Sequence, residues 1–509
     1  MGQLRSVLLI IFTSFISSLC AAKPNIVILF ADDAGYMDFG FTGTDDLQTP
    51  RIDQFAAEGV ICTQGYVTAS VCSPSRAGLL TGRYQQRFGH ETNLRGKDVG
   101  LPLTERTLAD RLGDLGYASC AIGKWHLGGS YEQHPLSRGF DAFHGFLLGS
   151  RTYFSKSNNK VTQQSLMHNR IIVPEDDNRY LTDWMATKAN EFIKIQTKQP
   201  FFLYVAFNAV HTPMQATPED LSHFSTIENK KRKKLAGMTL ALDRAVGSIM
   251  DTLKEQGLDE NTIVFFLNDN GGATINASNN GPLRGMKGSK WEGGIRVPYV
   301  VRWKNTLMPS SYDKPVSSLD IATTSLTLAG DTLEAMNDLD GIDILPFLTG
   351  SEKGIPHDIL YWRRGPAGAV RSGAWKLIRV DDQPPLLFNV IDDIGETKNV
   401  ADAHPKLVRQ LDDAISSYLK NVDALVPVPN PDYDSNTVPV SDETLRGRLK
   451  MSDDWYFLDN GSIRIGVDRS RGAGIGYLSQ STTDRNVLNH FDEGRFIQQS
   501  YYGEKDGST

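Results

Sequence analysis

Four continuous apolar runs constrain this fold more than any other feature: 25–31 (NIVILFA), 201–207 (FFLYVAF), 262–267 (TIVFFL) and 297–303 (VPYVVRW). None alternates polar with apolar, so each suits a strand covered on both faces. Amphipathic stretches lie between them at 52–59, 103–116, 180–195 and 228–256. Thr104, with Arg106, Leu108 and Leu112 behind it, reads as the start of the second of these helices. Strands alternating with helices predict an α/β fold, a large mixed sheet sandwiched by helices. In such sheets the loops at the carboxyl ends of the strands carry function.

The pattern changes at about residue 354. DILYWRR, GAVRSGAWKLIRV and LLFNVID predict a smaller C-terminal antiparallel sheet subdomain, followed by a helix over 405–420. Residues 426–443 are rich in Pro, Asn, Asp and Ser and read as a linker. Strand chemistry restarts at 455–468, with an Asn460-Gly461 hairpin signal. The expected division is an α/β region over 23–353, a subdomain over 354–425, a linker over 426–443 and the start of a β-rich module over 444–509. At the other end, Arg5 precedes an apolar stretch over 7–19 that is too short for a membrane span. Cys20-Ala21-Ala22 supplies small residues at a cleavage site, so 1–22 reads as a signal peptide and the protein as secreted, periplasmic or surface-attached. Leu19 before Cys20 argues against lipid attachment. No later segment is apolar for long enough to span a bilayer.

A formal net charge of -7 argues against non-specific nucleic-acid binding, and the basic run 230–234 reads as a solvated helix face. With Cys20 removed, Cys62, Cys72 and Cys120 remain, too few for a disulfide scaffold. Cys62 and Cys120 lie in strand-like apolar runs and read as buried thiols. Cys72 stands apart.

The polar clusters follow the strand rule. Asp32-Asp33 directly follows the first apolar run, and Asp269-Asn270-Gly271-Gly272 follows the third. Adjacent carboxylates repel unless a cation joins them, and hard oxygen donors favour calcium or magnesium. A third cluster runs from Cys72 to Arg83, with Pro74 placed for a first helical turn and Gly82 for a helix end. Cys72 then sits at a helix N-terminus, where amides and dipole favour an anion. Spacing alone leaves two readings open, a capped helix with a free thiol and a nucleophile position.

Cys72-Ser73-Pro74-Ser75-Arg76 with Leu80-Thr81-Gly82-Arg83 resembles the signature of the formylglycine-dependent sulfatases, the type I sulfatases of the alkaline phosphatase superfamily. The resemblance extends to Gly123-Lys124-Trp125-His126-Leu127-Gly128, Asp32-Asp33-Ala34-Gly35, His211-Thr212-Pro213, Asp269-Asn270-Gly271 and Lys287-Gly288 before Trp291-Glu292-Gly293-Gly294. It implies an alkaline-phosphatase-like fold and a polysaccharide sulfatase of bacterial type. Cys72 would become 3-oxoalanine (formylglycine), made by a maturation enzyme, and its hydrate would attack sulfur. Asp32, Asp33, Asp269 and Asn270, with the modified Cys72, would hold one Ca2+ ion. Arg76 and Lys124 would neutralise sulfate oxygens, and His211 and Lys287 lie where the leaving oxygen is protonated. His126 would deprotonate the second hydroxyl and expel sulfate. His90, His134 and His144, in loops near the motifs, could reach substrate, and Ser150 lies where some relatives contact sulfate.

The expected substrate is a sulfated oligo- or polysaccharide, with ulvan, carrageenan, fucoidan and glycosaminoglycans as candidates. Two alternatives accompany this reading: a phosphodiester or phosphonate hydrolase of the same superfamily, and a non-catalytic glycan-binding relative. The intact Cys72, Arg76 and acidic set weigh against the last.

Overall fold

The computed structural model describes residues 23–93, 100–154, 164–173, 179–196, 199–380 and 383–425, and the backbone of three strands between 455 and 480. The signal-peptide, linker and Asn460-Gly461 readings lie outside the described residues.

The apolar runs form the middle of a ten-stranded mixed sheet. Its strands are β1 (Asn25–Ala31), β2 (Val60–Cys62), β4 (Ala118–Lys124), β5 (Ala142–Phe146), β6 (Met167–His168), β7 (Ile171–Ile172), β8 (Phe201–Ala206), β9 (Thr262–Asn268), β10 (Tyr299–Trp303) and β11 (Ser310–Tyr312). Their spatial order is β11-β2-β10-β9-β1-β8-β4-β5-β6-β7. The central five, β9 to β5, run parallel, while β10 and β6 join antiparallel. A short parallel pair, β3 (Gly65–Tyr66) with β12 (Val316–Ser317), stands apart from it.

Continuous hydrophobicity follows from two-sided burial. Along β1, Val27 and Leu29 face one core with Leu242 and Val246, while Ile26, Ile28 and Phe30 face the other with Leu79, Leu80 and Leu326. Each such side chain stabilises the fold by about 1.5–3 kcal/mol, so a polar residue facing either way is costly. Among the helices, α1 (Pro50–Ala57), α4 (Leu181–Ile195) and α6 (Lys230–Glu255) cover the first face, whereas α2 (Cys72–Thr81), α3 (Leu108–Asp114) and α8 (Asp320–Ala329) cover the second. Short helices α5 (Pro218–Ser222), α7 (Glu292–Ile295) and α9 (Leu345–Leu348) lie in connections.

One helix start differs from its expectation. α3 begins at Leu108, not near Thr104, because Thr107 forms the capping box. The Asp110 amide donates to Thr107 Oγ1 at 3.2 Å, and the Thr107 amide donates to the Asp110 carboxylate at 2.8 Å.

A separate antiparallel sheet contains β13 (Ile359–Arg364), β14 (Ala367–Ser372), β15 (Trp375–Ile378) and β16 (Leu386–Asn389). Its alternating residues also serve two sides. Val370, Leu377 and Leu387 meet α10 (Pro405–Asn421), whereas Ala369, Ile378 and Phe388 meet Tyr66 and Ile295. The fold is therefore the expected α/β sandwich with a smaller antiparallel subdomain. Residues 427–509 form a second unit, whose described part is an antiparallel meander of β17 (Trp455–Asp459), β18 (Ile463–Asp468) and β19 (Gly474–Gln480). Cys62, Cys72 and Cys120 are free and buried, and among the described residues no helix is long and apolar enough to cross a membrane.

Candidate active site

Parallel neighbours bring distant motifs to one edge. β9, β1, β8 and β4 stand side by side, so Asp269-Asn270, Asp32-Asp33, His211 and Lys124-Trp125-His126 all leave the same end of the sheet. α2 delivers Cys72 there from its first turn, and Gly82 closes this helix in the left-handed region at φ 67°.

Here the acidic and basic residues interlock. Lys124 Nζ donates to Asp32 Oδ2 at 2.5 Å. Lys287 Nζ reaches Asp33 Oδ1 at 2.6 Å and Cys72 Sγ at 3.0 Å. Arg76 binds Asp269 Oδ2 through Nε at 3.2 Å and Nη2 at 2.7 Å, and donates to the Lys124 carbonyl at 3.1 Å. Cys72 Sγ lies 3.8 Å from Asp32 Oδ1, and His211 Nε2 lies 3.6 Å from Asp33 Oδ2. Asp32, Asp33, Asp269, Arg76, Lys124 and Asn270 are all buried.

Two members adopt strained backbone. Asp33 has φ 61° and His126 has φ 58°, conformations that cost a residue with a β-carbon and persist only under external hold. The Asp33 carbonyl accepts from Asn276 Nδ2 at 3.1 Å and Ser278 Oγ at 2.8 Å. The His126 ring packs where a β-carbon on Gly149 would meet it at 2.6 Å, so only glycine fits opposite.

Burial pushes the Cys72 thiol up to about 12, against the pull of Lys124 and Lys287, so it stays protonated near neutrality. A thiol in that state is a poor nucleophile. Burial raises Asp33, but Lys287, His211 and Lys124 outweigh it and hold the carboxyl below its ordinary range. Asp269 is raised, by burial first and then by Asp32. His211 is lowered to about 3 by burial despite Asp33, and burial with Lys124 and Arg76 keeps His126 well below the usual imidazole range.

The donor chemistry fits a hard cation. Ligand atoms of Asp32, Asp33, Cys72 and His211 lie within 4.8 Å of one another. Asn270 Nδ2 is tied to Asp33 Oδ1 at 2.8 Å, yet its Oδ1 is buried with no hydrogen-bond partner. An orphaned oxygen beside carboxylates is what a hard, oxygen-seeking ion satisfies.

All six expected catalytic residues, Cys72, Arg76, Lys124, His126, His211 and Lys287, therefore flank the Asp32, Asp33, Asp269 and Asn270 set. Other histidines are engaged elsewhere: His90 on Ser73, His134 on the Asn169 carbonyl at 3.0 Å and His144 on His168 at 3.1 Å. Asn276, Ser278 and the Ser73–His90 contact escaped sequence reading. The polar stretch 276–280 after the Asp269 motif is the signal for Asn276 and Ser278, and spacing carries none for the Ser73–His90 contact.

A family model described as Sulfatase matches residues 24–331. Arylsulfatase J of Mus musculus is 30% identical over 477 residues, covering 82% of this chain and 79% of that protein. N-acetylgalactosamine-6-sulfatase of Mus musculus is 34% identical over 377 residues, covering 69% and 71% respectively. Among solved structures, Ps i-CgsB superposes with a TM-score of 0.75 at 36% identity, over 84% of this chain and 97% of that one. It is also known in complex with k-i-k-neocarrahexaose.

Proposed function

The chain belongs to the sulfatase family and is a sulfuric ester hydrolase, and we propose that it removes sulfate from a carrageenan-type galactan through a formylglycine made from Cys72. One observation carries this reading: a buried Cys72 at a helix start, touched by Lys287 and facing Asp32, inside a cluster with an unsatisfied Asn270 oxygen. The resemblance of the Cys72–Arg83 motif to the sulfatase signature supports the modification, and the complex of Ps i-CgsB with k-i-k-neocarrahexaose supports the galactan. The leader-like residues 1–22 support export and an extracellular polymer.

In this reading Asp32, Asp33, Asp269 and Asn270 hold one calcium ion with the modified Cys72. When bound, that ion supplies Lewis-acid polarisation of the sulfate and lowers the nucleophile's pKa. Arg76 and Lys124 neutralise oxygen charge from within a buried, low-dielectric site, where it counts most. His211 and Lys287 stand where the leaving oxygen is protonated; burial leaves His211 neutral, so Lys287, kept charged beside Asp33, is the group that carries the proton. Burial keeps the His126 ring neutral and so able to take a proton from the second hydroxyl. A nucleophile with two hydroxyls can eject its own sulfate adduct, which serine or cysteine cannot do.

Sulfate release from defined carrageenan oligosaccharides, glycosaminoglycan disaccharides and an aryl phosphodiester tests the proposal. The carrageenan set should react fastest. Preference for glycosaminoglycans would overturn the galactan assignment, and faster phosphodiester cleavage would favour the superfamily's phosphorus chemistry.

A further inference from the structure

The strained His126 backbone needs a hold that the residues named so far do not provide. Its amide donates to the Leu147 carbonyl at 3.0 Å, which anchors one side of the residue. Its carbonyl accepts from Ser73 Oγ at 2.6 Å, which ties the other side to the residue next to Cys72. Ser73 is fully buried, and its Oγ also lies 2.7 Å from His90 Nε2.

The protons in this chain can be assigned. A carbonyl oxygen only accepts, so the single hydroxyl proton of Ser73 goes to His126. Ser73 Oγ then presents a lone pair to His90 Nε2, which donates to it in the tautomer protonated there, while the ring also meets the Gly100 backbone. His90 itself is 3% exposed and tied back through its amide to the Gln85 carbonyl at 3.1 Å. Three residues further on, Asn93 Oδ1 accepts the Ser73 amide at 3.0 Å and satisfies a donor of the first turn of α2. The segment after α2 thus folds back and braces the start of its own helix.

Resting on the sulfatase reading above, we propose that His90 is a positioning residue for the reaction. Through Ser73 it fixes the main chain of His126, and so the aim of that imidazole, relative to the turn bearing Cys72. His90 touches no reacting atom in this account. It acts by denying Ser73 other rotamers, because a hydroxyl that both donates and accepts in a buried site has one orientation. A hydrogen bond of this kind in a catalytic site controls rate more than binding when the aligned group acts only in the chemical step.

The test uses the full-length, matured protein and a defined carrageenan oligosaccharide, with an aryl sulfate alongside. Variants His90→Phe, His90→Gln, Ser73→Ala and the Ser73→Ala/His90→Phe double are compared, each normalised to the matured fraction of the Cys72 peptide by mass. His90→Phe keeps the ring volume and removes the donor, so kcat should fall about tenfold with KM within about twofold. His90→Gln carries an N–H of similar reach and should recover kcat to within about threefold. The double variant should lose no more than Ser73→Ala alone, because both act through one hydroxyl. A wild-type kcat in His90→Phe, a loss that Gln leaves unrepaired, or losses that add in the double variant would overturn the proposal. Ser73→Ala keeps the ring in place and must show the kcat loss by itself; an unchanged value there overturns it whether or not His90→Phe folds. An inactive wild type contradicts the functional reading and this proposal with it, whereas an active wild type with an active His90→Phe contradicts this proposal alone.

Discussion

Two buried charge clusters in this molecule draw on the same residue types and differ in closure. Around Glu292, Lys376 Nζ sits 2.8 Å from Glu292 Oε1 and 2.9 Å from Glu396 Oε1. Glu396 Oε2 accepts the Glu292 amide at 2.7 Å, and Tyr66 donates to Glu292 Oε2 at 2.5 Å. Arg371, from β14, completes the set on Tyr66 and Gln64. Every charged group is paired from within the chain, Glu396 Oε1 by the Lys376 ion pair alone, and the cluster joins the antiparallel sheet to α7 and to Tyr66 of β3.

Around Cys72 the closure is incomplete. Asp32, Asp33 and Asp269 face Arg76, Lys124 and Lys287, three against three. The Asn270 oxygen and His126 Nδ1 remain beside them, buried and with no hydrogen-bond partner. Buried charges that satisfy one another hold structure together. Buried charges left with spare donors and acceptors are arranged for a visitor, here a cation and an anionic ester.

The contrast breaks first at Cys72. Cys72→Ser should lower turnover at least about a thousandfold while urea unfolding stays that of the wild type. Residual rapid turnover would mean that the open cluster works without the modified residue. Next, Lys376→Met leaves buried Glu396 without its cation and Glu292 with only Arg296 at 3.4 Å, and should cost about 3–5 kcal/mol in urea unfolding, with kcat per folded molecule unchanged. A cost below about 1 kcal/mol would show that the closed cluster does not hold the subdomain.

Calcium removal comes third. An ion at a hundredfold its Kd stabilises by about 2.7 kcal/mol, so chelation should lower the melting temperature of the wild type and of Lys376→Met alike. Asp269→Ala should abolish that shift; a shift that survives would place the ion elsewhere. The smallest effect concerns His357, whose Nε2 lies 2.9 Å from Asp320 at the start of α8. Burial lowers its pKa but Asp320 raises it more, to a net value above the ordinary one. That contribution is complete below about pH 6.5 and fades as pH rises through the folded value. His357→Gln should therefore narrow the wild-type melting difference between pH 6 and pH 8, and an unchanged difference would exclude the pair as its source.

Much of this is legible in the amino-acid sequence. Two-sided burial wrote β1, β8, β9 and β10 as unbroken apolar runs, and the strand-end rule joined Asp32 to Asp269 across 237 positions. Short edge strands such as β6 and β7 left no such trace, because two residues pairing at a sheet margin carry no period. Thr104 and Thr107 both resemble caps, and only the Asp110 partner distinguishes them. Contacts such as Ser73 with His126, or Lys376 with Glu292, depend on register between distant segments and on rotamers, which spacing does not encode.

The central claim is that Cys72 is the reaction's nucleophile only after oxidation. Mass spectrometry of the Cys72 peptide from active enzyme, produced with a maturation enzyme, tests it most directly. The aldehyde should appear about 18 Da below the thiol, sulfur having been replaced by oxygen with loss of two hydrogens. Fully active enzyme carrying only the unmodified thiol would contradict it.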